Sequence, residues 1–90
     1  MSSTILPGQS YPLGATVYAI GINFCLYSKL ATGVDLLLFD SQNIVAPSRV
    51  IALHPQWNRT SYYWHVFVPG LKVGQIYAYR VHGVPTRWGN

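Results

Sequence analysis

The chain of 90 residues contains no glutamate, two aspartates and a single cysteine. Charged residues make up only 9% of it, against roughly a quarter in a typical soluble domain. Asp35 and Asp40 are thus the only side-chain carboxylates for general acid or base chemistry. A glycosidase needs two carboxyl groups flanking the scissile bond, ~5–10 Å apart. Five residues along a strand put these two on opposite faces and about 17 Å apart, so self-sufficient glycoside hydrolysis is excluded. The lone Cys25 forms no internal disulfide and fits a reducing compartment. No apolar run approaches the ~20 residues of a membrane helix. Met1–Leu6 has neither a basic start nor a following apolar region, so no secretory signal is expected and the chain reads as cytoplasmic, with no membrane partner.

The net charge is +4, but Lys29, Arg49, Arg59, Lys72, Arg80 and Arg87 are scattered and never adjacent. A phosphate-tracking surface needs clustered cations, and the basic balance here comes from missing acids, so no nucleic-acid partner is expected. His54, His65 and His82 fall on different predicted strands without ligand spacing, so no metal site and no cofactor are expected. Gly70–Gly74 has neither the spacing nor the following helix of a phosphate loop. Cys25 sits between Phe24 and Leu26 and reads as a buried, inert thiol rather than a nucleophile. Asn58-Arg59-Thr60 matches a glycosylation sequon that is idle without secretion.

What the chain does have is apolar and aromatic. Leu, Ile, Val and Phe supply 27 of 90 residues, enough to exclude disorder. Eight glycines and six prolines cut it into short pieces, and none sustains a helical period for three turns. Alternation and β-branched enrichment predict strands at Thr16–Ala19, Ile22–Ser28, Val34–Phe39, Arg49–His54, Tyr62–Val68 and Ile76–His82. Val34–Phe39, apolar nearly throughout, reads as a central strand covered on both faces. Pro69–Gln75 reads as a hairpin loop, with Val68 facing Tyr77, Val66 facing Tyr79 and Trp64 facing Val81. The fold class that follows is all-β, an immunoglobulin-like antiparallel sandwich, with an open barrel as the alternative. Residues 1–13 form a lead-in, 14–83 the sandwich and 84–90 the start of a connector. Ending on Trp88-Gly89-Asn90, the chain reads as truncated.

Three Trp and seven Tyr exceed what a core of this size needs. Flat rings stack on the apolar faces of sugars, while amides and guanidinium groups bond their hydroxyls. Trp57, Trp64, Trp88 and Arg80 are therefore candidate glucan contacts. Mid-strand Trp64 is also a natural core residue; Trp57 and Trp88 lie in loops.

The order of motifs is more specific. Pro7-Gly8-Gln9-Ser10-Tyr11-Pro12-Leu13-Gly14-Ala15-Thr16 precedes Gly21-Ile22-Asn23-Phe24, Tyr27-Ser28 and Ala31-Thr32. Val34-Asp35-Leu36, Leu38-Phe39-Asp40, Trp64-His65-Val66 and Pro69-Gly70-Leu71 follow, and the series ends on Gly74-Gln75-Ile76-Tyr77-Ala78-Tyr79-Arg80-Val81-His82-Gly83. Across residues 7 to 83 this resembles the N-terminal domain of bacterial isoamylase-type glycogen debranching enzymes, a family 48 carbohydrate-binding module. The resemblance implies an early-set immunoglobulin-like sandwich placed before an α-amylase-type barrel of glycoside hydrolase family 13. That barrel would carry the carboxylates that hydrolyse α-1,6 branch linkages in glycogen. The partners implied are α-glucan and the catalytic barrel of the same parent chain. Glycogen-binding relatives in regulatory kinases use paired tryptophans, one after the Gly of the final strand; Trp88 stands in that region after Gly83, though Val84–Arg87 departs from the pattern. In debranching enzymes the region leads into the barrel, which makes Trp88 equally an interdomain contact. The alternative is an autonomous glucan-binding or protein-interaction module with no attached enzyme.

Overall fold

The computed structural model describes residues 5–83; residues 1–4, and 84–90 with Trp88, lie outside the described part. Seven strands run in chain order: β1 (Gly14–Tyr18), β2 (Gly21–Tyr27), β3 (Gly33–Phe39), β4 (Arg49–Leu53), β5 (Arg59–Thr60), β6 (Tyr63–Pro69) and β7 (Ile76–His82). They form two antiparallel sheets, β1-β2-β6-β5 and β4-β3-β7. The first has the A-B-E-D order of an immunoglobulin sheet, and the second sets the C and F equivalents side by side. The predicted all-β sandwich is the fold found.

Alternation builds the core. Ile22, Phe24, Trp64, Val66 and Val68 face inward from the first sheet, and Val34, Leu36, Leu38, Ile51 and Leu53 from the second, all buried. Within the first sheet Ile22 pairs with Val68, Phe24 with Val66 and Leu26 with Trp64. Tyr77 and Tyr79 pack against this cluster, and the Tyr77 ring meets Phe24 edge-on at 4.9 Å, joining the sheets.

Three details differ from the sequence reading. β6 and β7 are not a hairpin: β7 pairs with β3, so Val34, Leu36 and Leu38 oppose Val81, Tyr79 and Tyr77. The apolar faces were correctly chosen, but they meet across the core rather than along one ladder. Pro69–Gln75 crosses between sheets, bending at Gly70 and Gly74, whose φ angles are +88° and +94°. β3 is central in its sheet but covered on one face only; Asp35, Leu37 and Phe39 stay part-exposed. The two-residue β5 was not predicted, because two residues cannot display an alternation.

The lead-in runs along the outside of the first sheet. Leu6 and Phe67 exchange two backbone hydrogen bonds of 2.9 Å, which places this strap along the β6 edge that β5 also uses. Asn23 is 1% exposed although it points away from the core. Its Oδ1 accepts from Gln9 N (2.8 Å) and its Nδ2 donates to Gln9 O (3.1 Å), imitating a ladder step. His65, also buried, donates Nδ1–H to Pro7 O (2.6 Å). A carbonyl only accepts, so Nδ1 carries the proton, and Nε2 is hydrogen-bonded to Thr60 Oγ1 (2.8 Å).

Two buried acids give the sandwich an alkaline limit. Burial pushes the Cys25 thiol above its ordinary value of 9.0 and the Tyr79 phenol well above 10.0. Both stay protonated in the folded chain at pH values where the unfolded chain releases them, so stability is full below about pH 8 and falls as pH rises, by at most ~1.4 kcal/mol per pH unit for each group. Urea unfolding between pH 8 and 10.5 should show this decline. Tyr79→Phe should remove the steeper part above about pH 10 and leave the decline due to Cys25, and because the Tyr79 hydroxyl is buried with no hydrogen-bond partner among the described residues, the variant should match or exceed wild-type stability at pH 7.

Candidate functional site

Trp57 is the exposed aromatic that the fold presents most deliberately. It lies between β4 and β5 in a turn fixed by four hydrogen bonds. Trp57 N (3.2 Å) and Asn58 N (2.7 Å) both donate to His54 O. His54 N donates to Asn58 Oδ1 (2.8 Å), and Gln56 N to His54 Nδ1 (3.1 Å). The Trp57 ring stacks on the His54 imidazole, centroids 4.9 Å apart and planes 24° from parallel, with 59% of the residue exposed. Held this way, the indole loses little freedom on meeting a ligand. Beside it a shallow depression of about 220 Å³ is lined by Ile5, Leu6, Pro7, Trp57 and Asn58. Asn58 itself is 3% exposed, so the sequon offers no accessible acceptor.

The other predicted contacts are not gathered there. Trp64 has none of its surface exposed and sits in the core, with the Arg59 guanidinium 5.2 Å above its ring. Its place on the inward face of β6 removes it from the ligand candidates. Arg80 projects from β7 on the outer face of the second sheet, half-exposed, 3.7 Å from Asp35 Oδ2. The same oxygen accepts from His82 Nε2 (2.9 Å). Among the described residues, Arg80 is not one that lines the depression beside Trp57. Trp88 falls outside the described residues.

Neither reactive-looking pair is set up for catalysis. Asp35 is committed to Arg80 and His82. Cys25 is paired across strands with His65, but both ring nitrogens of that histidine are used by Pro7 and Thr60, and burial keeps the thiol protonated. Sequence reasoning missed the strap and, with it, Tyr18, Ile20 and Phe67 on the outside of the first sheet. The Pro7-Gly8-Gln9 stretch is the available signal: it opens the family's motif order, but nothing in it shows which strand it lies against.

Comparison with known proteins places this β-sandwich in a carbohydrate-binding class of domain. Residues 12–88 match the family model of carbohydrate-binding module 48, the isoamylase N-terminal domain. The chain belongs to that family. It is 49% identical over 79 residues to a glycogen debranching enzyme of Serratia proteamaculans (88% of this chain, 11% of that protein). It is 41% identical over 80 residues to the glycogen operon protein GlgX homolog of Mycobacterium tuberculosis (89% and 10%), and 38% identical over 82 residues to the chloroplastic isoamylase 1 of Oryza sativa subsp. japonica (89% and 10%). The chain thus spans about a tenth of the length of these relatives. Among solved structures, the GBS pullulanase SAP in complex with maltotetraose superposes with a TM-score of 0.65 at 21% identity, covering 81% of this chain and 10% of that one; this supports the fold.

Proposed function

We propose that this domain is the N-terminal accessory module of a glycogen-debranching hydrolase, and that it holds α-glucan on the face of Trp57. The observation that carries the reading is the Trp57 indole, braced on His54 and exposed beside an uncharged depression, in a family-48 module. The parent chain's downstream barrel would hydrolyse the α-1,6 linkages, and the module would keep a branched chain near it. Relatives about ten times longer and named for glycogen debranching support this arrangement. The one cysteine, buried and unpaired, suits a reducing compartment and supports the cytoplasm as the place of work. Arg80, with Asp35 and His82, offers a smaller hydrogen-bonding group on another face.

Affinity electrophoresis tests the reading. Glycogen in a native gel should retard the domain, and Trp57→Ala should lose most of that retardation while keeping the wild-type melting curve. Equal mobility with and without glycogen would reject it.

A purely structural role is favoured by a different observation. On the outer face of the second sheet Leu37 lies opposite Val50 and Ala78, and Phe39 opposite Ile76. Such a stripe suits contact with a neighbouring domain.

A further inference from the structure

The depression beside Trp57 has a larger neighbour. Leu6 lines both: on its other side a hollow of about 360 Å³ is bounded by Gly8, Gln9, Tyr18, Ile20, Asn23 and Phe67. Its floor depends on Gly21. A Cβ there would lie 2.8 Å from Phe67 Cζ, so the missing side chain lets the Phe67 ring cross β2 towards β1. The Tyr18 and Phe67 rings then stand 6.1 Å apart at 58°, forming the two sides of an open V. Ile20 and Leu6 are 70% and 46% exposed at its rim.

We propose that the two hollows form one groove for an α-glucan chain, which crosses the N-terminal strap over Leu6 from Trp57 to Tyr18. The inference rests on the glucan-binding reading and extends it to a second subsite. Sheet order sets the line of the groove. Tyr18 pairs with Gly21 across β1 and β2, and Phe67 with Leu6 across β6 and the strap, the second pair set two residues along from the first; the four neighbouring segments span about 14 Å at ~4.8 Å per step. That length suits an oligomer rather than a single sugar.

Charge selects the occupant. Among the described residues, no Asp, Lys, Arg or His lines either hollow. The polar groups on offer are neutral, the Tyr18 phenol and the amide of Gln9, whose backbone is already anchored to Asn23. Flat rings with neutral donors and acceptors complement a polyol that carries no charge, and give nothing to phosphorylated or acidic ligands. The strap is also held in place independently of any ligand, by His65 and Asn23, so the groove is preformed.

Chain length is the test. With the 90-residue domain, maltose should move only the Trp57 indole resonance, whereas maltoheptaose should also move the Tyr18 and Ile20 amides and bind about tenfold more tightly, the worth of an added aromatic contact. Tyr18→Ala should remove that tenfold gain and leave maltose binding unchanged; Trp57→Ala should weaken both sugars. Equal affinity for the two sugars with silent Tyr18 and Ile20 amides would overturn the groove while leaving glucan binding at Trp57 intact. Failure of both sugars to move Trp57 would overturn the underlying reading as well. The amide shifts need no variant, so a Tyr18→Ala protein that unfolds does not blur the result.

Discussion

Replacing Trp64 by alanine is expected to cost about 3–5 kcal/mol, the range for emptying a buried aromatic position, out of a total of roughly 5–15 kcal/mol for a domain. Trp64 has no exposed surface, pairs with Leu26 and lies under the Arg59 guanidinium. The urea midpoint should fall accordingly. Trp64→Phe should cost far less, because a ring still fills most of the space and the indole N–H removed has no hydrogen-bond partner among the described residues. A tryptophan serving a ligand from the surface would behave in the opposite way, leaving the midpoint unchanged and glycogen retardation abolished.

The second large effect is expected at Gly8. Its φ of +80° disfavours any side chain by about 1–2 kcal/mol. An added Cβ would in addition sit 2.7 Å from both Asn23 Oδ1 and the Val66 carbonyl carbon, and 2.8 Å from Phe67 N. Two of those are backbone atoms in the middle of the sheet and cannot yield, so the strap must lift. Lifting it strips the buried Asn23 amide of both its Gln9 partners and His65 of Pro7, and an unsatisfied buried polar group costs about 1–3 kcal/mol. Gly8→Ala should therefore lose about 3 kcal/mol or more. Amide exchange at Leu6 and Phe67, whose two mutual bonds tie down the strap, should accelerate well beyond the rest of β6, and maltoheptaose affinity should fall with it. Uniform exchange across β6 would show that the strap is not a separable element.

The period-two pattern made most of the sandwich legible. In β2, β3, β4 and β6 one alternate set of apolar residues supplies the core: Ile22 and Phe24, Val34, Leu36 and Leu38, Ile51 and Leu53, and Trp64, Val66 and Val68. Periodicity names the face that turns inward but not the strand that lies alongside. The sequence reading pairs Val66 with Tyr79, yet they belong to opposite sheets, because any two apolar faces look equally good as ladder partners. The strap was illegible for another reason. Its attachment uses backbone groups, the amide of Asn23 and the ring of His65, at separations of 14 residues from Gln9 to Asn23 and 58 from Pro7 to His65. No local pattern marks such bonds, and buried polar residues on an outward face read as solvent-facing. Trp57 stood out in the sequence as a loop aromatic, but its support by His54 and Asn58 needed the folded turn.

The most direct test of glucan binding at Trp57 follows the tryptophan indole N–H resonances of the labelled domain during titration with maltoheptaose. The Trp57 signal should move progressively and saturate while that of buried Trp64 stays in place. A titration that leaves Trp57 unmoved at millimolar sugar would contradict the proposed site, as would one that shifts only residues of the outer Leu37–Val50–Ala78 face.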